Sequence, residues 1–460
     1  MTDTTEPAVT QAPPPWREVF EGERGRLTTG LLLLEALVAI EALIVATILP
    51  AVEEDLGGLS LYGWTFTAFT LASLGTVPIA GRVTDRLGPR KVLAATTVMY
   101  VAGLLIAALA PSMLVLVLGR FVQGIGGGGL YVVSLATVAK TYPARIRPRV
   151  MALLASMWIL PGLAGPLLGG WIAESFGWRW AFLAPIPAIA LGVLMVLPVM
   201  RAVQGIADQE RLPVVASLQL MLGAALFLAG LTQIGWWTAV LVPLGLLLGL
   251  PALRRVTPRG TLVARPGLPA AAAAAFLASA AFLAIDGFLT LMLVNVRGLS
   301  LTAAGLIVTG AAFAWATGSW LQSRIVQRVG ARWLTAFGAS MIAVAAVLVS
   351  TGLTSLPLAI AYVGWGFGGF GMGVVFPTIP LAVMAEATEG HEAGELSSTI
   401  LMDFLGVGVG AGLGGASVAL ADVGAISLEA GIAGAFSIAF VTALVLVLVA
   451  RRIPDARARA

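Results

Sequence analysis

Long apolar stretches, divided by short polar breaks, run through nearly the whole chain. They lie at about 27–51, 60–81, 91–110, 113–139, 149–173 and 178–200, then 213–233 and 236–253. Six more follow near 269–295, 301–322, 332–351, 355–385, 395–421 and 426–450. A helix that crosses the hydrocarbon core of a bilayer needs roughly 20 mostly apolar residues. In lipid every backbone polar group must be paired within the chain, and runs of this length achieve that as helices. The pattern predicts fourteen spanning helices grouped six, two and six. Polar linkers at 201–212 and 254–268 separate the groups; the second carries Arg254, Arg255, Arg259 and Arg265. The first 26 residues are polar, with Pro13, Pro14 and Pro15. They hold no short apolar core behind a basic start, so no cleaved leader is read. The expected organisation is a tail at 1–26, a six-helix bundle over 27–200, and linkers with an inserted helix pair (213–253) over 201–268. A second six-helix bundle over 269–450 and a tail at 451–460 complete it.

Composition agrees with this reading. Hydrophobic residues make up 59% of the chain, charged residues 11%, and the mean hydropathy is +0.97. Soluble domains run near 45–50% apolar and about 25% charged, so water is not this chain's only solvent. There is no cysteine, which excludes disulfides, a thiolate nucleophile, zinc–thiolate sites and iron–sulfur clusters. His391 is the sole histidine and sits among Glu386, Glu389, Glu392 and Glu395 in a loop. His-clustered metal sites and Ser-His-Asp triads are excluded with it, and no metal site is expected. Neither Lys91 nor Lys140 follows a glycine, so no Walker A loop is present.

The sequence pI of about 9.8 is explained by topology. With the N-terminus placed in the cytoplasm and the spans alternating, every Lys and Arg except Arg120, Arg179 and Arg297 falls on the cytoplasmic side. That is the positive-inside bias of membrane proteins, and it puts both termini in the cytoplasm. The opposite loops hold Glu53, Glu54, Asp55, Glu174, Asp422 and Glu429. Nucleic-acid binding is therefore not expected; membrane lipids are the surroundings.

An offset of 242 residues reveals an internal repeat. Gly81-Arg-Val-Thr-Asp-Arg-Leu-Gly-Pro-Arg90 aligns with Ser323-Arg-Ile-Val-Gln-Arg-Val-Gly-Ala-Arg332, and the same offset aligns Gly124, Gly126, Gly127 and Gly129 with Gly366, Gly368, Gly369 and Gly371. Two related six-helix halves with a pair inserted between them is a transporter architecture.

The ionisable residues inside spans are Glu35, Glu41, Arg120, Asp286 and Asp403. Such residues are costly in lipid and are functional candidates by default; the competing reading for each is a structural hydrogen bond. Burial disfavours the charged form of a carboxyl, which suits these acids to loading and releasing a proton. Glu41 lies near the middle of span 1, and Asp286 lies in the corresponding span of the second half, three residues past the repeat-equivalent position. Glu35 is six residues from Glu41, about 120° away around a helix, so the two need not share a cavity. Arg120 could answer the proton state of an acid. Gln123, Trp158, Trp315 and Trp365 could line a lipophilic cavity, with Trp320 and Phe367 as further aromatics; core packing is the competing reading. Gly124, Gly126 and Gly129 spell G-x-G-x-x-G inside an apolar span with no preceding strand, so they indicate close helix contacts rather than a dinucleotide site. The glycine run of span 13, Gly406 to Gly415, reads as packing or as a bendable helix.

Three motifs stand in order on these spans. The loop after span 2 reads Gly81-x3-Asp85-Arg86-x-Gly88-x-Arg90-Lys91, span 4 holds Arg120-x2-Gln123-Gly124-x-Gly126-Gly127, and span 5 holds Gly162-x2-Gly165-Pro166-x2-Gly169-Gly170. They resemble the loop 2–3 motif, the helix-4 arginine motif and the helix-5 antiporter motif of the major facilitator superfamily. Glu41-x6-Ile48-Leu49-Pro50 and Trp178-Arg179-Trp180-x-Phe182 are similar to motifs of its 14-helix drug:proton antiporters. The sequence departs from that pattern at Glu41 (usually Asp), Pro185 (often Asn), Gln327 (for Asp85) and Tyr362 (for Arg120). The resemblance implies an all-α membrane protein with the major facilitator fold, acting as a monomeric proton-coupled antiporter in the cell membrane. No cofactor is implied beyond the proton gradient.

Gly81, Asp85, Arg86, Gly88 and Arg90 are then expected to form a latch between the halves, with Asp85 meeting the helix N-terminus near Ser397 and Ser398, since such an end favours anions. The expected cargo is amphipathic or lipophilic, because the cavity offers few fixed charges. Export or flipping of a lipid or glycolipid is the nearest alternative. A membrane-embedded enzyme lacks the chemistry listed above, and a non-transporting membrane protein has no need of buried carboxyls in the first helix of each half.

Overall fold

The computed structural model describes residues 16–57, 61, 64–157, 168–169, 171–205, 212–232, 235–299, 301–422 and 424–455. The first group of helices is α1 Gly22–Leu56, α2 Trp64–Leu87, α3 Pro89–Ala108, α4 Met113–Thr141, α5 Arg147–Ser156 and α6 Arg179–Val199. Helical backbone returns at 168–169 and 171–176, in the run read as span 5. Then come α7 Val214–Thr232 and α8 Trp236–Val256. The last group is α9 Leu268–Leu291, α10 Leu301–Val329, α11 Ala331–Ser350, α12 Leu358–Glu386, α13 Glu392–Asp422 and α14 Leu428–Ala450. Among the described residues, eleven helices are long and apolar enough to cross a membrane. With α1, α5 and α10 they follow the six-two-six order of the apolar pattern.

The repeat is geometric as well as sequential. Helices α3 and α11 begin and end at the same 242-residue offset. Each is preceded by a glycine in matching backbone geometry, Gly88 at φ 80° and ψ 155° and Gly330 at φ 89° and ψ 154°. Positive φ at this turn is a conformation that favours glycine. Within the first half α4 packs on α2 and α3, and α1 packs on α6. Within the second, α12 packs on α10 and α11, while α9 packs on α13 and α14. The halves meet where α13 lies against α2 and α4, and where α10 and α12 lie against α5.

Glycines set how closely these helices approach. A Cβ at Gly128 would sit 2.7 Å from the Ser73 carbonyl of α2, and one at Gly119 2.7 Å from the Ala107 nitrogen of α3. The glycine run of α13 resolves into two faces. Gly406, Gly410 and Gly414 press on Phe276, Ala280 and Phe288 of α9, whereas Gly408 and Gly412 face Leu228 and Leu231 of α7. A four-residue step keeps one helix face, so alternating glycines serve two neighbours.

The inserted hairpin lies outside both bundles, with α8 largely exposed. It also touches both halves. Its α7 packs on α2 of the first half and on α13 of the second, with Met221 against Gly75. Trp236 and Trp237 at its turn are exposed and stacked, 3.5 Å between centroids.

Candidate functional site

The polar centre of the first half is built from α1, α2, α3 and α4. Glu41 and Arg120 are almost fully buried. Arg120 Nη1 donates to Glu41 Oε1 at 2.6 Å and to Gln123 Oε1 at 2.7 Å, and its Nε donates to the Thr65 carbonyl at 3.1 Å. Tyr100 donates to Glu41 Oε2 at 3.3 Å, and Phe69 lies under the guanidinium, 4.8 Å from centroid to Cζ. Gln123 stands one helical turn after Arg120, which brings both to one face of α4. A buried ion pair is held only when its remaining hydrogen-bonding groups are satisfied, and Gln123, Tyr100 and the Thr65 carbonyl supply that here.

At the repeat-equivalent places the second half is aromatic. Tyr362 and Trp365 replace Arg120 and Gln123, and Leu283 replaces Glu41. Phe282 stacks on Trp365 at 4.9 Å and meets Trp315 edge-on at 5.3 Å; Trp315 in turn lies 5.5 Å from Phe376. The indole nitrogens of Trp315 and Trp365 are buried with no hydrogen-bond partner among the described residues. Trp365 and Gln123 are packed into their halves, while Trp315 is half-buried. Trp158 lies outside the described residues.

The other acids are placed differently. Asp286 is half-buried and has no hydrogen-bond or ion-pair partner among the described residues. Asp403 accepts a close hydrogen bond from Ser279. Beside it is a cavity of about 20 Å³ lined in part by Tyr131, Phe376 and Thr399, room for roughly one water. Glu35 is half-buried, and both it and Asp403 lie within electrostatic reach of Tyr131. Gly169, the described member of the helix-5 glycine positions, faces Ile44 and Thr47 of α1, about one turn beyond Glu41. Gly162, Gly165, Pro166 and Gly170 lie outside the described residues.

Polar contacts between the halves gather at the end carrying the arginine-rich loops, the basic face. Asp85 Oδ1 accepts from the Ala393 nitrogen at 3.1 Å and Oδ2 from the Gly394 nitrogen at 2.6 Å. Helix α13 therefore starts at Glu392, earlier than the apolar pattern indicated, and Asp85 caps its first turn rather than the region of Ser397 and Ser398. Ser397 instead packs on Gly81, where a Cβ would come within 2.6 Å of it. Lys140 Nζ lies 3.0 Å from Asp85 and 3.1 Å from Glu392 and reaches the Gly390 carbonyl at 3.4 Å. Gln327, the repeat counterpart of Asp85, also crosses between the halves, donating to the Arg145 carbonyl at 3.2 Å. The latch is thus ionic in one copy and neutral in the other. Arg147 adds a bond of 3.4 Å to the Met384 carbonyl. Of the remaining motif residues, Arg86 is half-buried and Arg90 is exposed, and Gly88 abuts the Val203 carbonyl.

On the opposite face the Trp178-Arg179 motif closes the first half. Arg179 Nη1 donates to Asp55 at 2.8 Å, Trp178 Nε1 donates to the same oxygen at 3.1 Å, and Arg179 Nη2 reaches the Ala110 carbonyl at 3.3 Å. Phe182 is fully buried, edge-on to Trp178. Sequence reasoning missed Lys140, Tyr100, the Thr65 carbonyl and Phe282. For Lys140 a signal existed: it is one of only two lysines and ends a span on the latch side.

A family model described as Major Facilitator Superfamily matches residues 31–411. The multidrug transporter protein MdtP of Bacillus subtilis is 32% identical over 189 residues, 41% of this chain and 34% of that protein. The multidrug resistance protein B homolog of Mycobacterium tuberculosis is 32% identical over 208 residues, 45% of this chain and 38% of that protein. The chain thus spans well under half the length of these relatives. Among solved structures, the human organic anion transporter MFSD10 superposes with a TM-score of 0.71 at 17% identity, covering 93% of this chain and 99% of that one. The proton:xylose symporter XylE does so with 0.66 at 16% identity, covering 94% and 96%. At these identities the structural matches speak for the fold.

Proposed function

The chain belongs to the major facilitator superfamily, and on that premise we propose that this multi-pass membrane transporter is a proton-coupled antiporter exporting amphipathic or lipophilic compounds. The observation that carries the proposal is the buried Glu41–Arg120 pair with its Gln123 and Tyr100 partners. A proton delivered to Glu41 cancels the charge that holds Arg120. Arg120 must then rely on neutral acceptors, and the packing of α1 against α4 is reset. Asp286 and Asp403 are further proton carriers, with Glu35 beside Tyr131. The aromatic second half supplies apolar contact for cargo, and the similarity to proteins named as multidrug transporters supports efflux.

Orientation follows from the positive-inside bias: the basic face is cytoplasmic in the cell membrane, and both termini lie there. On that assignment the Asp85–α13 latch closes the cytoplasmic ends. Alternating access requires the latch to break and re-form in each cycle. The protein works as a monomer, with the proton gradient as its only energy source.

The test is uptake into inverted membrane vesicles with an acidic lumen, against a broad panel that includes lipids. Accumulation that collapses with a protonophore is expected for lipophilic compounds. No gradient-dependent movement of any compound overturns the proposal, and movement of lipids alone replaces drug export with lipid export.

A further inference from the structure

A cavity of about 600 Å³ lies beside the two bundles, under the inserted hairpin. This is within the range of roughly 300–1,000 Å³ occupied by ligand sites. Its walls come from α2, α7, α8, α9, α13 and α14, and its polar side chains are Thr70, Thr261 and Arg452. Leu246 and Leu250 of α8 and Leu448 of α14 line it and are exposed, so its mouth opens sideways, at membrane depth. At the basic end Arg452 Nη1 donates to the carbonyls of Val263 and Ala264, each at 3.3 Å. Its Nη2 and Nε have no acceptor, and no acid pairs with it, among the described residues. Arg254, Arg255, Arg259, Arg265 and Arg451 surround this end in sequence, while exposed Leu262 and Val263 stand beside it.

We propose that this cavity binds an anionic phospholipid, with an acyl chain in the apolar space and the phosphate on the open side of the Arg452 guanidinium. Three features select this occupant. The mouth faces hydrocarbon, so the ligand arrives from the bilayer. The walls are apolar, which suits a hydrocarbon chain. The cation at the interfacial end has donors to spare and no counter-ion among the described residues, and a guanidinium pairs well with phosphate. Basic pockets between membrane helices hold lipid headgroups in the same way. A lipid seated here touches α2 of one half and α13 and α14 of the other, so it joins the two halves. The inference does not depend on what the protein transports.

The experiment is native mass spectrometry of the delipidated full chain in detergent, titrated with phosphatidylglycerol, phosphatidylcholine or glycerol 3-phosphate. Phosphatidylglycerol is expected to bind roughly tenfold more tightly than phosphatidylcholine, and glycerol 3-phosphate not at all. Arg452→Gln should erase the preference while keeping chain binding. Gly249→Phe should weaken both lipids, since Gly249 lines the cavity and a Cβ there meets only the Gly223 backbone, at 3.8 Å. Val445→Trp, at an exposed cavity-lining position, narrows the mouth without burying new bulk and should do the same. Equal affinity for the two lipids, a preference that survives Arg452→Gln, or filled-cavity variants that bind like wild type would each overturn the proposal. Glycerol 3-phosphate binding as tightly as the lipid would show an anion site with no role for the chain. Because no transport is measured, failure here leaves the antiport reading standing, and failure of antiport leaves this site standing.

Discussion

Glu41 and Arg120 are 79 residues apart in sequence and 2.6 Å apart in space. Breaking a buried pair by removing one partner costs about 3–5 kcal/mol, because the other charge is left uncompensated. Glu41→Gln is expected to abolish gradient-driven export in vesicles and to lower the melting temperature of the purified protein. The double variant Glu41→Gln/Arg120→Met should regain most of that stability but not the export; an unchanged melting temperature in the single variant would show that the pair is not formed. Asp85→Asn keeps the size of the side chain but loses the attraction to Lys140 and one of the two acceptors for the α13 backbone. Paired spin labels at the exposed positions Arg90 and Glu389, easily introduced into a chain without cysteine, should report wider separation of the basic-face ends. An unaltered distance together with full activity would count against the latch. At this scale the sequence yielded identities more readily than partners. Glu41 and Arg120 stood out as charges where charge is costly and Asp85 as the acid of a loop motif, but Tyr100 became visible only once α3 and α4 were docked, and Lys140 showed only as a rare lysine ending a span on the latch side. Gln327 looked like a lost acid, and its neutral bond to Arg145 depends on where the α4–α5 turn comes to rest.

Helices α4, α12 and α13 are apolar on nearly every side, so hydrophobic periodicity gives their existence and length but not which face meets which neighbour. Their glycines hold that information, and only the packed structure decodes it. Gly128 and Gly366 provide a contrast. A methyl group at Gly128 would meet the Ser73 carbonyl at 2.7 Å, whereas at Gly366 nothing lies within 4 Å. Gly128→Ala should destabilise the protein by about 1–3 kcal/mol through overpacking. Gly366→Ala should be neutral or stabilising by up to about 1 kcal/mol, since alanine is the better helix former. Thermal unfolding in detergent separates the two, and equal shifts would contradict the packing described. The same reasoning explains why the start of α13 was misjudged: Glu392 to Glu395 read as loop because they are acidic, yet acids suit the first turn of a helix.

For the whole molecule, the number of spans, their grouping and the 242-residue repeat were legible because each rests on long segments rather than on single contacts. The position of the hairpin was half legible. The stretch 213–253 has no ionisable side chain, which suits a place outside the bundles, but that lack does not show that α7 spans the seam between them. Deleting 213–253 and rejoining the linkers removes two crossings, so the orientation of the second half is kept. The deletion should lower thermal stability and yield more than export per folded molecule; well-folded deletion protein that binds cargo but cannot export it would make the hairpin part of the cycle. The two faces of α13 bear on that outcome. Its contact with α9 sets Gly406 and Gly410 on the backbone of Phe276 and Ala280 and Gly414 on the Phe288 ring, a joint with little room to shift. Its contact with α7 is made by side chains alone, Leu228 and Leu231 lying against Gly408 and Gly412. One side of the helix is held by backbone at close range and the other only by flexible leucine side chains. In the proposed alternating-access cycle α9 and α13 would then travel together as a rigid plate, while the side chains joining α13 to α7 could re-pack and leave the hairpin behind in the bilayer.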